Sequence, residues 1–518
     1  MPEMLASYVA GTWYTAPDEG IVVVDAATGD PVARVSSTGL DTRAAVEHAR
    51  RVGGPALRRL TFHERAAALK ALATHLDSKK STYYELSTST GATRRDSAVD
   101  IDGGIATTFA FSGAGKRELP EGYVLADGDM VQMGKEGTFV GRHVYTALPG
   151  AALQINAFNF PVWGMLEKLA PAVLAGMPSI VKPATQTAYL TAAVVRDIVA
   201  SGALPEGAVQ LVCGGLGDLL DHLGGQDLIA FTGSASTATV LRGHTAVMAR
   251  ATRFNAETDS LNCSILGPDA LAGTPEFDLF VKEVAREMTV KAGQKCTAIR
   301  RAFVPQPAID DFVSALQARL AKVVVGNPRN EAVTMGALVS LRQRDEVRAA
   351  VQSLRHAAEI VSGDPENVEP IDADSHRGAF IAPILMRCTD ADRSEPHDIE
   401  AFGPVSTVIA YKAVDDVADL AARGNGSLVG SIVSHDPDFV REVVLAAAPH
   451  HGRLLVLDRD CAAESTGHGT PMPQMVHGGP GRAGGGEELG GVRAVKHYMQ
   501  RTALQGSPAA IAAIVGAA

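Results

Sequence analysis

The sequence predicts an α/β protein built on parallel sheets, on three observations. Short apolar runs alternate with helical stretches from residue 151 to about 245, and the alternation resumes from 258 to about 470. Strand–helix alternation at this spacing means βαβ units, with helices covering both faces of a parallel sheet. The chain of 518 residues, 46% hydrophobic and 20% charged, has enough apolar material for more than one such unit. No run of 18 apolar residues is present, so no membrane span is expected.

Along the chain, the first 115 residues read as mainly helical. Thr61 and Glu64 form a capping box, and Leu69, Leu72, Ala73 and Leu76 follow at the spacing of one helix face. From Thr138 through Val140, Arg142 and Val144 the pattern becomes β-like alternation, ending at Pro149-Gly150. Apolar runs then fall at 151–156, 179–183, 208–213 and 228–233. Helices are expected over 161–175, 187–201, 216–223 and after Ser236. Further on, helices are expected from Pro275 to about Ala292 and from Pro307 to Leu320. The Gly-rich stretch 464–491 contains Met, His and paired Glu, and reads as an ordered loop over a site. The apolar tail 509–518 is too short to span a bilayer and reads as a segment that packs on a neighbour.

Composition excludes several classes of function. Lys+Arg 47 against Asp+Glu 58 leaves a net charge of −11, which argues against nucleic-acid or anionic-membrane partners. Five scattered cysteines with no CxxC pair make neither a disulfide framework nor a zinc site. A reducing compartment, a cytoplasmic location and no bound metal are the expectation. The N-terminal stretch lacks the basic and apolar regions of a signal peptide.

Parallel sheets bind ligands at the carboxyl ends of their strands, so the residues there come first. They are Phe158-Asn159-Phe160-Pro161, Lys182-Pro183-Ala184-Thr185 and Phe231-Thr232-Gly233-Ser234. A Lys and a Gly-Ser turn beside the crevice suit a phosphate-bearing cofactor, although no GxGxxG opens any unit. Cys296 follows Gly293 and Lys295 in a polar context, where a nearby cation would favour the thiolate. Cys213 and Cys263 lie in apolar runs and read as core. Glu257 and Glu400 are isolated acids beside strand-like segments, and each alone reads equally well as a surface carboxylate.

Taken in order, FNFP, VKPA, FTGS, the isolated Glu257, GQKC, the ExFGPV around Glu400 and Phe402, and a Gly-rich EELG resemble the aldehyde dehydrogenase superfamily over nearly the whole chain. The resemblance implies an aldehyde dehydrogenase fold: a Rossmann-like cofactor domain over 1–127 and 149–257, an α/β catalytic domain over 258–475, and oligomerisation elements, including a β-flap, at 128–148 and 490–518. It implies Cys296 as nucleophile, Asn159 as oxyanion donor and Glu257 as general base. Lys168 and Glu488 would relay protons. Glu400, with Phe402 and Phe158 nearby, would hold the nicotinamide ribose, and Gly233 and Ser234 would admit the pyrophosphate. Family members that prefer NAD commonly carry a Glu where this chain has Thr185. Thr185 beside Lys182 therefore implies NADP, with NAD a weaker alternative.

Several departures, among them AETDSLNCSILG at 256–267 and HGGPGRAGGGEELGG at 477–491, resemble the CoA-thioester semialdehyde dehydrogenases of bacterial aromatic catabolism. These act in the benzoyl-CoA route or form the dehydrogenase half of a phenylacetate ring-opening protein. The resemblance implies a CoA-linked semialdehyde substrate and a homo-oligomer, with a dimer favoured. The absence of a hydratase half after residue 518 tilts the expectation to the benzoate type. Arg482, Arg493 and Lys496 lie in the part of the chain that could meet the CoA group, but they read first as ordinary surface or interface residues. His477 in the Gly-rich loop could line the site but reads first as a turn residue.

Overall fold

The computed structural model describes residues 2–516. The first sheet has seven strands in the spatial order Arg253–Glu257, Leu228–Thr232, Ala152–Ile155, Ser179–Lys182, Val209–Leu211, Ser7–Val9 and Thr12–Tyr14. The first five are parallel, and the two N-terminal strands close one edge antiparallel. The central strands Ala152–Ile155 and Ser179–Lys182 are buried almost throughout, as a sheet covered on both faces requires.

The second sheet also has seven strands, ordered Ala358–Ser362, Ile384–Cys388, Val405–Tyr411, Arg301–Pro305, Cys263–Leu266, Ser427–Val433 and His451–Leu457. All are parallel except the first. A third, three-stranded sheet joins Leu125–Gln132, Val140–Ala147 and the late strand Met499–Gly506. The helix Pro508–Gly516 packs against it; residues 517 and 518 of the apolar tail lie outside the described residues.

The expected helices over 161–175 and 187–201 are present as Trp163–Ala175 and Ala188–Ser201. The helix Phe62–Thr88 begins at the capping box, with Thr61 Oγ1 accepting from the Glu64 N–H and the Glu64 carboxylate accepting from the Thr61 N–H. Three expectations need correction. The first 40 residues are not helical: four short strands lie between Ser7 and Val35. They are three to five residues long, too short for a clear alternating pattern. At 216–223 only a 3₁₀ turn forms, Leu219–His222, because Gly214 and Gly217 adopt positive φ and break the backbone before a helix can nucleate.

The helix from Pro275 stops at Thr289, short of Ala292. Thr274 caps it by accepting from the Phe277 N–H, and Pro275 with Glu276 and Asp278 fills a favourable first turn. Its end is a left-handed turn in which Lys291, Ala292 and Gly293 have φ of 53°, 49° and 66°. The Gly-rich stretch is ordered. It carries a two-stranded ribbon of Val476–Gly478 and Glu487–Leu489, in which His477 pairs with Glu488.

Candidate active site

Cys296 follows the left-handed turn, and the turn is tied down from several sides. The Arg300 guanidinium donates to the carbonyls of Gly293 at 2.9 Å, Lys295 at 3.2 Å and Gly403 at 2.7 Å. The Lys291 N–H donates to Asp96 Oδ1, and Asn262 Nδ2 donates to the Cys296 carbonyl at 2.7 Å. Two non-glycine residues in the left-handed region cost about 1–2 kcal/mol each. Such a conformation persists only where its surroundings over-determine it, as they do here.

Three other elements bring their residues to Cys296. Glu257 ends the edge strand of the first sheet. Asn159 lies in the loop after Ala152–Ile155; its Oδ1 accepts from the Phe160 N–H, which leaves the Nδ2 amide as a donor. His477 comes from the ribbon. All four line one cavity of about 60 Å³, together with Glu167 and Thr297. His477 Nε2 lies 3.2 Å from Glu257 Oε1 and 3.8 Å from Cys296 Sγ. The turn role expected for His477 is therefore wrong: it is 3% exposed and faces the thiol.

Burial and the Glu257 charge push the Cys296 thiol well above its ordinary value. The neighbouring cation expected to favour a thiolate, Lys295, does act in that direction but is outweighed, and its Nζ is paired with Glu287 at 2.5 Å. Burial alone would raise Glu257, but His477 when protonated, together with Lys168 and the Cys296 hydrogen bond, outweighs it and holds the carboxyl below its usual range. For His477, burial opposes the charged ring and Glu257 reverses the effect, so its value rises.

Behind Glu257 lies a buried cluster that includes both expected relay residues. Lys168 Nζ is 3.0 Å from Glu488 Oε2 and 3.5 Å from Glu167 Oε1. Burial pushes Glu167 up to about 8, with Lys168 opposing. Sequence reasoning missed Glu167. Its only signal was its place beside Lys168, and an adjacent pair on a helix does not by itself share a face.

The residues expected to meet a cofactor gather at the carboxyl end of the first sheet. Lys182 is half-buried at its strand end, and its Nζ donates to the Pro183 carbonyl at 3.0 Å. Thr185 opens a 3₁₀ turn beside it. Ser234 caps the helix Ala235–Arg242, and a side chain at Gly233 would meet the Phe231 ring at 2.6 Å. Phe158 and Phe402 pack edge to face at 5.8 Å. Glu400 is turned inward: its Oε2 accepts from the Ser260 N–H at 3.1 Å and Arg300 lies 3.7 Å from its Oε1. Burial pushes it up to about 7. Both polar atoms of the Asn156 side chain and Thr232 Oγ1, at two of these strand ends, are buried without hydrogen-bond partners. Unpaired groups of this kind suit a polar ligand that supplies the missing bonds.

This combination of thiol, amide and carboxylate, set between two parallel sheets, suits covalent capture of a carbonyl compound. The Aldehyde dehydrogenase family model matches residues 13–504. The chain belongs to the aldehyde dehydrogenase family. Membership makes it an oxidoreductase that oxidises aldehydes. It is 47% identical to the 3,4-dehydroadipyl-CoA semialdehyde dehydrogenase of Aromatoleum evansii, over 92% of this chain and 93% of the relative. It is 50% identical to Protein MaoC of Klebsiella aerogenes over 182 residues, 35% of this chain and 52% of that protein. The crystal structure of a betaine aldehyde dehydrogenase variant from Staphylococcus aureus superposes with a TM-score of 0.84 at 22% identity, covering 97% of both chains. That likeness establishes the aldehyde dehydrogenase fold.

Arg482, Arg493 and Lys496 are engaged elsewhere in this aldehyde dehydrogenase. Arg482 donates to the carbonyls of His397 and Asp398, Arg493 pairs with Glu487, and Lys496 pairs with Asp127 at 3.0 Å. Unpaired positive charge lies beside the reactive cavity. Arg286 and Val290 line that cavity and also a neighbouring one of about 440 Å³. The second cavity carries Arg95, Lys282, Arg319 and Lys322, none of which forms an ion pair among the described residues. Its one acid, Asp96, is occupied by Thr93 and the Lys291 N–H. No helix among the described residues is long and apolar enough to cross a membrane.

Proposed function

We propose that the enzyme oxidises a CoA-linked semialdehyde to the carboxylic acid with NADP, and that its substrate is 3,4-dehydroadipyl-CoA semialdehyde, the one its Aromatoleum relative is named for. The observation that carries the substrate class is the set of unpaired cations lining a cavity that shares Arg286 and Val290 with the reactive one. A CoA thioester is long and ends in phosphates. Its acyl end would enter beside Cys296 while Arg95, Lys282, Arg319 and Lys322 meet the phosphates. The net charge of −11 would otherwise repel such a substrate, which makes this local reversal informative.

Cys296 Sγ attacks the aldehyde carbonyl and forms a thiohemiacetal. The Asn159 amide and the Cys296 N–H donate to the oxyanion, an arrangement whose single donors are typically worth about 10²–10³ in rate. A bound nicotinamide cofactor would supply the hydride acceptor, and loss of hydride from the thiohemiacetal would leave a thioester on Cys296. Glu257 takes a proton from water, which attacks the thioester and releases the acid. Lys168 and Glu488 carry that proton away from Glu257 through their buried pair.

The residues present fit NADP. Lys182 has no carboxylate partner among the described residues, and Thr185 is neutral where a Glu would repel a 2′-phosphate. Gly233 and Ser234 offer an open backbone for the pyrophosphate. Residues 1–127 with 149–257 would form the cofactor domain and 258–475 the catalytic domain. Homo-oligomer formation, a dimer first, is supported by the flap, where Val131 and Met133 are exposed beside an unpaired strand edge.

Steady-state reduction of NADP and of NAD would be compared for CoA-linked semialdehydes and free aliphatic aldehydes. The expected result is a strong preference for the CoA-linked substrate. The double substitution Lys282→Glu with Lys322→Glu raises its KM at least tenfold and leaves the KM of a free aldehyde unchanged. Preference for the phenylacetate-derived semialdehyde keeps the mechanism and changes the pathway. Equal turnover of free aldehydes overturns the CoA-linked reading.

A further inference from the structure

We propose that His477 is the proton acceptor for the Cys296 thiol: its Nε2 lies between Sγ and the Glu257 carboxylate and reaches both. This rests on the assignment of Cys296 as nucleophile and adds a residue to which no role in the reaction has been given above. Three observations carry it. The ring is buried at 3% exposure, so its position is set by packing rather than by solvent. Its Nε2 is 3.8 Å from Sγ and 3.2 Å from Glu257 Oε1. Its Nδ1 is buried with no hydrogen-bond partner, so no second acceptor fixes the ring for a purely structural purpose. A His held only for packing would satisfy both nitrogens or be replaced at no cost by an apolar residue.

The surroundings explain why an acceptor is needed. Burial and the Glu257 charge oppose ionisation of the thiol, while Lys295 is paired with Glu287. A thiolate can form here only if its proton stays close by as a compensating positive charge. The neutral form of His477 supplies that place, and the Glu257 charge that raises its value makes the ring a stronger acceptor. The Sγ–H bond breaks and an Nε2–H bond forms. The sulfur electron pair then makes the C–S bond, and the carbonyl π pair moves to oxygen beside the Asn159 amide. The imidazolium so formed is stabilised by Glu257 and opposed by Arg453. When hydrolysis later breaks the C–S bond, the pair returns to sulfur and the same proton returns from Nε2 to Sγ. Glu257 remains the base for water, so the two proton transfers belong to two residues.

The pairing also explains how the residue is delivered. His477 and Glu488 face each other across the ribbon, which carries one group to the thiol and the other to Lys168.

The test uses His477→Gln and His477→Asn in the intact enzyme, with cofactor binding as the check that each variant is folded. Gln can still donate to Glu257 but cannot accept a proton. The rate of Cys296 alkylation by iodoacetamide is followed against pH, together with the pre-steady-state burst of reduced cofactor. The expected result is that both variants move the alkylation inflection to higher pH by at least one unit and slow the burst about tenfold or more. Glu257→Gln, in contrast, keeps a fast burst and loses the steady state. An unchanged inflection and burst in either folded variant overturns the proposal. Recovery of both by Gln but not Asn also overturns it, because His477 would then only position Glu257. If the unsubstituted enzyme shows no burst and Cys296→Ala remains active, the covalent reading itself fails, whatever His477 does.

Discussion

The floor around Cys296 and the cleft around Lys182 are built on opposite plans. At the floor, the backbone is strained at Lys291 and Ala292, and Arg300, Asn262 and Asp96 hold it with hydrogen bonds to main-chain atoms. In the cleft, Lys182 bonds only the neighbouring carbonyl, Ser234 is exposed, and Asn156 has no partner for either polar atom. The difference follows from what each region must do. A reacting sulfur has to be placed to within a fraction of an ångström before the substrate arrives. A cofactor cleft leaves donors unpaired because the ligand completes them.

Gly293→Ala should break the floor. A Cβ there would lie 2.2 Å from the Gly403 carbonyl oxygen, at a φ of 66° that already disfavours it. The backbone strain alone is about 1–2 kcal/mol, and the clash can be relieved only by moving the turn that carries Cys296. The expected outcome is at least a hundredfold loss of turnover with cofactor affinity within about threefold, measured by steady-state kinetics and by fluorescence titration. Equal loss of both would mean that the two regions are not independent.

Thr185→Glu probes the cleft. The new carboxylate would repel a 2′-phosphate, so the KM for NADP should rise about tenfold or more, while that for NAD changes little or improves. The burst amplitude with saturating cofactor should be unchanged. If NADP use is unaffected, the 2′-phosphate does not meet Thr185.

Glu167→Gln should have the smallest effect, and one confined to alkaline pH. Burial raises the Glu167 carboxyl to about 8, so below that pH it is protonated and a Gln resembles it. Above it the native residue becomes charged and Gln does not. The pH–rate profiles of the two enzymes should therefore coincide at pH 7 and separate above pH 8. Separation at pH 6 to 7 would show that Glu167 is ionised there.

The two plans also differ in how legible they were in the sequence. The cleft residues sit directly after apolar strands, so Lys182, Thr185, Gly233 and Ser234 could be located by counting from the strand ends. The chain order of Asn159, Glu257 and Cys296 marked the reactive centre once the family resemblance was recognised. The supports of that centre were not legible. Arg300 and Asn262 act through main-chain carbonyls, and the target of such a bond leaves no trace in residue type. His477 was visible but misread, because a His among glycines has the composition of a turn. What reveals it is cross-strand pairing with Glu488, which depends on register across a ten-residue gap. The early strands escaped notice because they are short and lie at a sheet edge or in a separate hairpin. The partner of Lys295 was hidden for a similar reason: Glu287 is eight residues away along the chain but in contact in the fold.

The protonated resting state of Cys296 has a consequence for the durability of the enzyme. Peroxide oxidises thiolates far faster than thiols, and the sulfenic acid it forms can proceed to irreversible acids. A nucleophile that burial and Glu257 keep neutral until an aldehyde arrives presents little target to such an oxidant. The exposed thiol of Cys461, outside both sheets, is the one an oxidant in solution meets first.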